Sequence, residues 1–568
     1  MAPDVFNKEW LTHMVSPIAS TATLPCVLDA IVDETPNATM LIDAATSRSV
    51  TVEQFDQENR AWARRLAALG VKPGDNVATV MEPTFDAYHA WLGLSGLGAV
   101  EVPINPQLRG RSLTYLLNHS QAGFLVVQAA YLDQITQAAD SLEHLRTVAV
   151  TDSEGDSQPL MNLPFQVISG TEFRSREVNV EYRLAQRHDT ACIIYTSGTT
   201  GPPKGVVIPW GWLTVSNQVP ERITGGARYS YLSPAHMSGK GALNSAVAEK
   251  RTLVLRESFS VREFWRDIAK YDCRVSQLFP PMIKYLLALP PSKEDRMTPL
   301  QHIWIAPLIS ETREFMQRFD IAVTTGFGMT ETGGPIAGID VDGSNLKSCG
   351  TVNPDPRGYE VRIVDEFDRE LPPGEIGELI VRASVPWTLN AGYYRNPQAT
   401  ADAWRNGWFH TGDAMTKDQD GNFYFVDRNK DCVRRRGENI SSFELESYAL
   451  SYPGVAEAAA VGVPSEDGEQ EVKIFLVAKT SDGIDLDSMG AWLRDQMPKF
   501  MVPRYLEILP DFPKTPATER IQKSELRSRA PGPNQWDRLN SATSRKTAGP
   551  QSRPLPPHNP NSPTQPRK

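Results

Sequence analysis

The stretch that decides the fold runs from residue 193 to residue 206 and reads Ile193-Ile194-Tyr195-Thr196-Ser197-Gly198-Thr199-Thr200-Gly201-Pro202-Pro203-Lys204-Gly205-Val206. It begins as a buried strand and continues into a loop of Gly, Ser and Thr that ends at a lysine. Glycines let the backbone approach a phosphate closely, hydroxyls and amides donate to its oxygens, and Lys204 adds a positive charge. A Walker A loop is excluded because no GxxxxGK[ST] is present. The stretch predicts a phosphate-binding loop rather than an ordinary surface turn.

On both sides of this loop, strand-like and helix-like segments alternate. An amphipathic helix is predicted over residues 53–69, and buried strands are predicted over 76–81, 122–127 and 147–150. Such alternation is typical of an α/β architecture with largely parallel sheets. The strand pattern resumes after residue 431 in a unit of about 100 residues, a common size for a small domain.

The predicted organisation has four parts. Residues 1–427 form a large N-terminal domain that contains the predicted phosphate loop, 428–430 a hinge, and 431–530 a small C-terminal domain. Residues 531–568 are rich in Pro, Ser, Asn and Arg, so we expect a disordered tail.

Composition and charge exclude several classes. The formal net charge is -10, which argues against a nucleic-acid partner. The five cysteines are scattered without CxxC spacing, so neither a disulfide framework nor a zinc site is predicted, and a cytoplasmic location fits. The most apolar stretch, residues 90–104, is interrupted by Glu101 and Pro103 and is too short to span a bilayer. No membrane partner is expected.

The phosphate loop resembles that of the adenylate-forming superfamily of acyl-CoA synthetases, luciferases and peptide-synthetase adenylation enzymes. Other motifs agree in order over about residues 25–526. Gly326-Phe327-Gly328-Met329-Thr330-Glu331 resembles a second family motif, in which the aromatic stacks on adenine, the Thr contacts the α-phosphate and the Glu holds Mg2+. The resemblance implies stacked mixed sheets with helices in the large domain and a mobile α+β small domain.

Two further matches complete the nucleotide site by resemblance. Asp413, at the end of the stretch 407–413, would accept from both ribose hydroxyls, and Arg428, in the stretch 427–431, would contact the ribose or a phosphate. Ala306 and Pro307 resemble the adenine-pocket segment, although Trp304 and Ile305 stand where the family usually has a Gly-rich stretch. The implied nucleotide-binding residues are Thr196, Ser197, Gly198, Thr199, Thr200, Lys204, Ala306, Pro307, Phe327, Gly328, Met329, Thr330, Asp413 and Arg428, with Glu331 as the metal ligand.

The resemblance also implies catalytic positions. Lys430 corresponds to the hinge, and His236 matches a position beside the acyl site, with a capping or core histidine as the competing interpretation. The run 436–442 (RGENISS) resembles the loop that the small domain presents during thioester formation, where Gly437 would let the backbone pass the pantetheine arm. The small residues Gly225, Gly226, Ser238, Gly239 and Gly241 indicate either a roomy acyl pocket or turns.

The C-terminal motif departs from the family pattern Pro-Lys-Thr-x-x-Gly-Lys, whose last lysine serves adenylation. In residues 513–523, Arg520 stands where the lysine is expected, Glu519 replaces the glycine, and there is one extra residue. A guanidinium is not interchangeable with an ammonium, and removal of a positioned donor typically costs about 10²–10³ in rate. We therefore hypothesise that adenylation is weak or absent while thioester formation survives. Alternatively, Arg520, Lys523 or Lys514 fills the role after a register shift.

Within the superfamily, Val102-Pro103-Ile104-Asn105 and the RGENISS run are similar to the carnitine and crotonobetaine CoA ligase branch. In lacking the adenylation lysine, the sequence resembles the ligases of platensimycin-type terpenoid pathways. That resemblance implies a bulky polycyclic acid as the substrate. The resemblance implies an AMP-forming acid–thiol ligase that uses ATP or acyl-AMP, CoA, Mg2+ and a small carboxylic acid. A separate adenylating ligase and a homodimer are the implied protein partners.

Three alternatives stay open at this point. The first is a complete two-step ATP-dependent acyl-CoA synthetase. The second is a stand-alone adenylation enzyme that loads a carrier protein, and the third is a non-catalytic nucleotide-binding homologue.

Overall fold

The strand that leads into the phosphate loop belongs to a seven-stranded sheet, called the N-terminal sheet below. The structure, a computed structural model, describes residues 22–152, 163–196, 202–213, 219–428, 432–435, 438–465, 470–480, 483–513, 521 and 523–540. Neighbouring strands of this sheet are parallel except for the last pair, which is an antiparallel hairpin. In spatial order they are Gln166–Ile168, Thr147–Val150, Phe124–Val127, Asn76–Val80, Val100–Pro103, Thr190–Thr196 and Lys204–Pro209.

A second sheet of fourteen strands in the described residues, called the large sheet, is parallel at its centre and antiparallel towards its flanks. The short strand Trp404–Arg405 pairs only with Trp408–Lys417. The other strands, in spatial order, are Tyr359–Val364, Gly377–Ala383, Trp408–Lys417, Phe423–Arg428, Ser348–Val352, Gly333–Val341, Ala322–Met329, His302–Trp304, Cys273–Gln277, Ala227–Ser230, Leu253–Leu255, Thr39–Asp43 and Ser49–Thr51.

Helices cover the two sheets, and one apolar core contains side chains from both. Leu92 of a helix, Ile194 of the N-terminal sheet and Leu253 of the large sheet all lie in that core. The predicted helix over 53–69 is found at Val52–Ala68, where Thr51 and Gln54 form a capping box. The α-helices of the large domain are Leu24–Glu34, Val52–Ala68, Phe85–Leu97, Gly110–Ser120, Leu132–Gln137, Gly170–Ser175, Met237–Ala248, Val261–Lys270, Pro280–Leu287, Thr312–Phe319 and Pro397–Ala403.

The apolar stretch 90–104 is a buried helix followed by a buried strand. The helix Phe85–Leu97 is buried on all sides and ends at Gly98, whose φ of 74° is left-handed. Across the part of the chain that the structure describes, we find no helix that combines the length and apolarity needed to cross a membrane.

The small domain has its own sheet and its own core. Val455–Pro464, Gln470–Ala478, Tyr505–Ile508 and Trp536–Asp537 form the sheet, and a separate hairpin joins Cys432–Arg435 to Glu438–Ser441. Its helices are Ser442–Leu450, Leu486–Gln496 and Lys523–Ser528. Together with the large domain, this arrangement confirms the predicted fold class.

Residues 531–540 differ from the predicted disordered tail. Trp536 pairs with Leu506 in the small-domain sheet, and its indole Nε1 donates to Asp487 at 2.8 Å. Gln535 accepts from Lys473 at 2.5 Å. Trp536 supplies apolar surface in a stretch whose overall composition is polar, and composition therefore predicted disorder there. Residues 541–568 lie outside the described residues.

A buried ion pair joins a helix that packs on the large sheet to the N-terminal sheet. The helix Met237–Ala248, called the pocket helix below, carries Lys240, and the strand Val100–Pro103 carries Glu101. The two side chains form a salt bridge with relative exposures of 0% and 1%. Thr79 donates to the same carboxylate at 2.7 Å, and the Lys240 ammonium lies 4.3 Å from the centre of the Trp91 ring. The pair is therefore fully enclosed by the fold.

We predict that Lys240→Met lowers the free energy of unfolding by about 3–5 kcal/mol, because it leaves the Glu101 carboxylate buried without its partner. The measurement is urea-induced unfolding followed by tryptophan fluorescence. The double variant Lys240→Met/Glu101→Leu should recover most of the loss, since no charge then remains buried.

The control is Arg60→Met, because Arg60 pairs with Asp29 and Asp56 at a partly exposed site. Exposed pairs contribute about 0–1 kcal/mol. Equal losses in Lys240→Met and Arg60→Met would contradict the structural importance of the buried pair.

Candidate active site

The predicted site residues surround one large cavity of about 1550 Å³. It is lined by both domains. Ten of the predicted nucleotide and metal residues line it: Thr196, Lys204, Ala306, Pro307, Phe327, Gly328, Met329, Thr330, Glu331 and Asp413. Ser197, Gly198, Thr199, Thr200, Lys430, Gly437 and Arg520 lie outside the described residues, and of Arg428 only the backbone, paired with Asp413, is described.

The predicted phosphate loop connects two antiparallel strands of the N-terminal sheet. Thr196 faces Lys204 in register across the two strands, so both residues stand where the loop begins and ends. The Lys204 ammonium lies 4.9 Å from the centre of the Tyr393 ring. The Tyr393 hydroxyl donates in turn to Glu331 Oε1 at 3.0 Å. A lysine and a carboxylate thus share one corner of the cavity, as phosphate and metal binding would require.

Glu331 is held firmly in this corner. The residue is buried, and its backbone carbonyl oxygen accepts hydrogen bonds from the backbone and side-chain nitrogens of Asn390 at 3.0 and 2.9 Å. Burial is the larger cause that raises the pKa of Tyr393, and the charge of Glu331 is the next. This phenol therefore stays protonated and can donate. Just before Glu331, a Cβ at Gly328 would lie 2.4 Å from the carbonyl oxygen of Gly333, so the turn has no room for a side chain.

The residues fit Mg2+ that is bound mainly through a nucleotide. Among the described residues there is no group of three or more His, Cys, Asp or Glu side chains able to hold a metal. Mg2+ usually keeps several waters and binds one or two carboxylates together with substrate phosphates. One buried carboxylate, Glu331, linked to Lys204 through Tyr393, meets that requirement.

The part of the cavity where the adenosine is predicted to bind lies along the large sheet. The Phe327 ring stacks on Phe425, with centroids 6.3 Å apart and planes at 23°. Asp413 is 2% exposed and follows Gly412, whose φ of 73° is left-handed. Thr411 accepts from the Asp413 amide at 3.1 Å, which holds this turn. The cavity therefore has an aromatic wall and, beyond it, a carboxylate.

The small domain closes the cavity from the opposite side. His236 Nε2 lies 3.3 Å from Glu438 Oε1, and Arg434 donates to the carbonyl oxygen of Ala306 at 3.3 Å. Further out, the Ser112 hydroxyl contacts the Glu444 carboxylate and the Tyr448 hydroxyl. Each of these contacts joins one domain to the other. The hairpin that contains the RGENISS run therefore stands at the mouth of the cavity.

His236 is not a core or capping histidine. It occupies the N-cap position of the pocket helix, but its side chain makes no cap hydrogen bond. The Glu438 charge raises the pKa of His236 against the effect of burial. Burial alone would raise the pKa of Glu438, but the charge and hydrogen bond of His236 hold it below its ordinary value. The two groups thus favour a charged pair.

Sequence reasoning missed Tyr393, Glu438 and Ser112. Glu438 lies within the RGENISS run, where its carboxylate was not given a role. Tyr393 follows Gly392 in a stretch without strand or helix periodicity, so no local pattern marks it. The five small residues proposed for the acyl pocket divide into two groups. Ser238 and Gly241 line the cavity, whereas Gly225 and Gly226 form a left-handed turn and Gly239 packs against Ser233.

The profile of the AMP-binding enzyme family matches residues 28–394, and that of the AMP-binding enzyme C-terminal domain matches residues 444–518. The chain belongs to the AMP-binding enzymes. It is 33% identical over 485 residues to the crotonobetaine/carnitine–CoA ligase of Escherichia fergusonii, which covers 83% of this chain and 92% of the relative. The corresponding ligase of Escherichia coli strain K12 is 32% identical over 488 residues, with the same coverage.

Solved structures share the fold. A double mutant of o-succinylbenzoate CoA synthetase from Bacillus subtilis, bound with a product analogue, matches 89% of this chain and 98% of its own length at a TM-score of 0.75 and 23% identity. The enzyme from the same organism in complex with ATP and magnesium gives a TM-score of 0.61 at 25% identity, covering 88% and 98%.

The family and its ligases confirm the prediction of an AMP-forming acid–thiol ligase with ATP, Mg2+ and CoA as its cofactors. They also confirm the resemblance to the carnitine and crotonobetaine CoA ligase branch. The roles of individual site residues stay predictions.

We predict that Glu438→Gln slows thioester formation in a pH-dependent way. The contribution of the positive charge of His236 to the ion pair is fully present below the ordinary histidine pKa of about 6.5. It is lost as the pH rises through the raised pKa of His236. The contribution of the negative charge of Glu438 is fully present above the ordinary glutamate pKa of about 4.3. It is lost as the pH falls through the lowered pKa of Glu438. The rate ratio of unaltered protein to variant should therefore peak between these limits and approach one at alkaline pH.

The rate is measured from a synthetic acyl-AMP and CoA. Ionisation of the CoA thiol affects both proteins equally, so the ratio isolates the ion pair. Glu525→Gln, at an exposed position, is the matched control and should give a ratio near one throughout. A ratio for Glu438→Gln that does not vary with pH would exclude a role for the pair.

Proposed function

We propose that the protein joins a carboxylic acid to the thiol of CoA through an acyl-AMP, and that thioester formation is the step it performs efficiently. One observation carries the proposal. Glu438 and Ile440, on the small-domain hairpin, line the same cavity as the nucleotide residues Thr330 and Asp413. The hairpin of the RGENISS run therefore faces the position where an acyl-AMP would lie.

Each part of the acyl-AMP has a chemically suitable neighbour. The ribose hydroxyls would donate to the buried Asp413 carboxylate, and the adenine would stack on Phe327. Thr330 and Lys204 would hold the α-phosphate by a hydroxyl donor and a positive charge. Mg2+ at Glu331 would neutralise phosphate charge when ATP is bound. These roles rest on the family motifs and on the shared cavity.

The acyl group would extend past His236 towards the pocket helix. In thioester formation the CoA sulfur attacks the acyl carbon, a C–S bond forms, and the bond from carbon to the AMP oxygen breaks. AMP leaves with the electron pair, and the thiol proton is released to solvent. Positioning and charge stabilisation supply the catalysis, and no covalent enzyme intermediate is required.

The small-domain sheet has two faces with different surroundings. One face packs on the helix Ser442–Leu450, whose Glu444 lines the cavity. On the other face, Phe512 and Ile521 share an apolar cluster with Phe475. These two residues flank the segment 514–520 that contains Arg520. The flanks of the adenylation segment therefore pack on the sheet face opposite to that helix, which supports a thioester-forming arrangement.

Lys523, one of the lysines that could fill the adenylation role after a register shift, has partners within the small domain. The Lys523 ammonium lies 2.6 Å from Glu446 and donates to Ser442 at 2.8 Å, both within the small domain. Lys523 is therefore engaged in holding its own domain together in this arrangement. That leaves Arg520 and Lys514 as candidates for the adenylation cation. The geometry of a guanidinium makes Arg520 a poor substitute, so we propose that adenylation is weak.

A weakly adenylating ligase needs a source of acyl-AMP. We propose that a separate adenylating ligase supplies it, and that a complete two-step synthetase is the alternative. A carrier-loading enzyme would differ in using a phosphopantetheinyl protein in place of CoA. The homodimer and the cytoplasmic location stay predictions.

We predict that the unaltered protein shows weak ATP/pyrophosphate exchange with any acid but forms thioester readily from a matching synthetic acyl-AMP. Arg520→Lys should raise exchange by about 10²–10³, because a compact ammonium then reaches between carboxylate and phosphate. It should leave thioester formation from acyl-AMP unchanged.

Arg529→Lys is the matched control, since Arg529 is half-exposed and lies 3.9 Å from Glu507. It should change neither reaction. Brisk exchange by the unaltered protein would show a complete two-step synthetase. Thioester formation on a holo-carrier but not on CoA would favour the carrier-loading alternative.

A further inference from the structure

The segment 390–394, called the bridging segment below, joins the N-terminal sheet to the large sheet at the cavity. On one side its backbone pairs with the strand Lys204–Pro209 through hydrogen bonds of 2.7 to 3.0 Å. On the other side, the backbone and side-chain nitrogens of Asn390 donate to the carbonyl oxygen of Glu331 at 3.0 and 2.9 Å. The strand that begins at the predicted phosphate loop and the predicted metal ligand are therefore hydrogen-bonded to the same short segment.

Further contacts fix the shape of the bridging segment. The side-chain oxygen of Asn390 accepts from the Gly392 amide at 2.9 Å and from the Trp404 indole at 3.2 Å. Thr400 Oγ1 accepts from the Tyr393 amide at 2.9 Å. Gly392 has a φ of 108°, and a Cβ there would lie 2.8 Å from the methyl carbon of Thr400. These contacts fix the backbone from which the Tyr393 side chain projects.

The Tyr393 side chain contacts both charged groups in this corner of the cavity. Its hydroxyl donates to Glu331 Oε1 at 3.0 Å, and the Lys204 ammonium lies 4.9 Å from the centre of its ring. All three residues line the cavity. The hydroxyl and the ring have different partners, so substitution can separate their effects.

Both contacts are of a kind that orients a binding site. Groups that hydrogen-bond a metal-ligating carboxylate hold it in position, and their removal typically costs about 10- to 100-fold in metal affinity or activity. An ammonium over an aromatic ring is attracted by the negative face of the ring. A tyrosine that only stabilised the fold would affect nucleotide binding equally with and without Mg2+. Dependence on Mg2+ therefore distinguishes the two roles.

We propose that Tyr393 is a positioning residue for the phosphate and metal end of the bound nucleotide. Its hydroxyl orients the Glu331 carboxylate towards Mg2+, and its ring holds the Lys204 ammonium beside the phosphates. The proposal deepens the ligase function proposed above and rests on it, because it takes Glu331 as the Mg2+ ligand. Tyr393 acts through these two neighbours and does not touch the reacting atoms.

The test measures nucleotide binding rather than turnover. Calorimetry on the full chain gives the Kd of α,β-methylene-ATP, which cannot be cleaved between its α- and β-phosphates, once with Mg2+ and once with EDTA. Tyr393→Phe removes the hydroxyl and keeps the ring. We expect this variant to raise the Kd in Mg2+ by about 10- to 100-fold and to leave the Kd in EDTA unchanged.

Two further variants identify the partners of Tyr393. Tyr393→Leu also removes the ring, so it should raise the Kd in EDTA by about 2- to 5-fold through the loss of the Lys204 contact. In a Glu331→Gln background the hydroxyl has no carboxylate to orient. Adding Tyr393→Phe to Glu331→Gln should therefore leave the Kd in Mg2+ unchanged.

Tyr182→Phe is the matched control, because Tyr182 has similar contacts elsewhere in the large domain. The Arg60 guanidinium lies 4.7 Å from the centre of its ring, and its hydroxyl donates to the carbonyl oxygen of Leu92 at 3.2 Å. These partners belong to the helices Val52–Ala68 and Phe85–Leu97. Tyr182→Phe should change neither Kd.

The outcomes separate this proposal from the ligase function. A Kd in Mg2+ that is equal for the unaltered protein and Tyr393→Phe would overturn the positioning role. An equal loss in Mg2+ and in EDTA, a loss that persists in the Glu331→Gln background, or an unaltered protein whose Kd does not respond to Mg2+ would also overturn it. None of these results touches thioester formation from a synthetic acyl-AMP. Failure of the unaltered protein in that reaction would instead overturn the proposed function.

Discussion

The buried ion pair between Lys240 and Glu101 is the contact on which the site depends most. It ties the pocket helix to the N-terminal sheet, which carries the phosphate loop, at a point without access to water. The Tyr88 hydroxyl adds a bond to the carbonyl oxygen of Gly239 on the same helix at 2.9 Å. Desolvating two charges is costly, so a pair of this kind is retained only where its partners are well placed.

The position of the pocket helix determines several parts of the site at once. His236 at its N-cap meets Glu438 of the small domain, and Asn244 further along lines the same cavity. A shift of the helix would therefore alter both the contact between the domains and the shape of the cavity. Thr196, Lys204 and Met329, which are predicted to bind the nucleotide, stand instead at strand ends of the two sheets.

The sequence predicted the parts of the fold that local patterns encode. The strand Thr147–Val150 and the helix Val52–Ala68 were predicted within a residue or two, because apolar spacing and capping residues mark them. The strand at Trp536 was missed, since one tryptophan in a polar stretch has no periodicity. Motifs likewise located Glu331 and Asp413, but not Tyr393 or the role of Glu438. Those side chains acquire their roles only through tertiary contacts between distant segments.

The central claim is that the two domains, arranged as in this structure, are ready for thioester formation. Ser112 and Tyr448 meet across the domains, so cysteines at these positions can be joined by a short cleavable bismaleimide. The background chain carries serine at Cys26, Cys349 and Cys432, while Cys192 and Cys273 are buried. The protein is loaded with the best-bound acyl-AMP, cross-linked, and mixed with CoA in a single turnover. We predict thioester formation at the rate of the unlinked protein. A rate that is lost on cross-linking and returns when the linker is cleaved would contradict the claim.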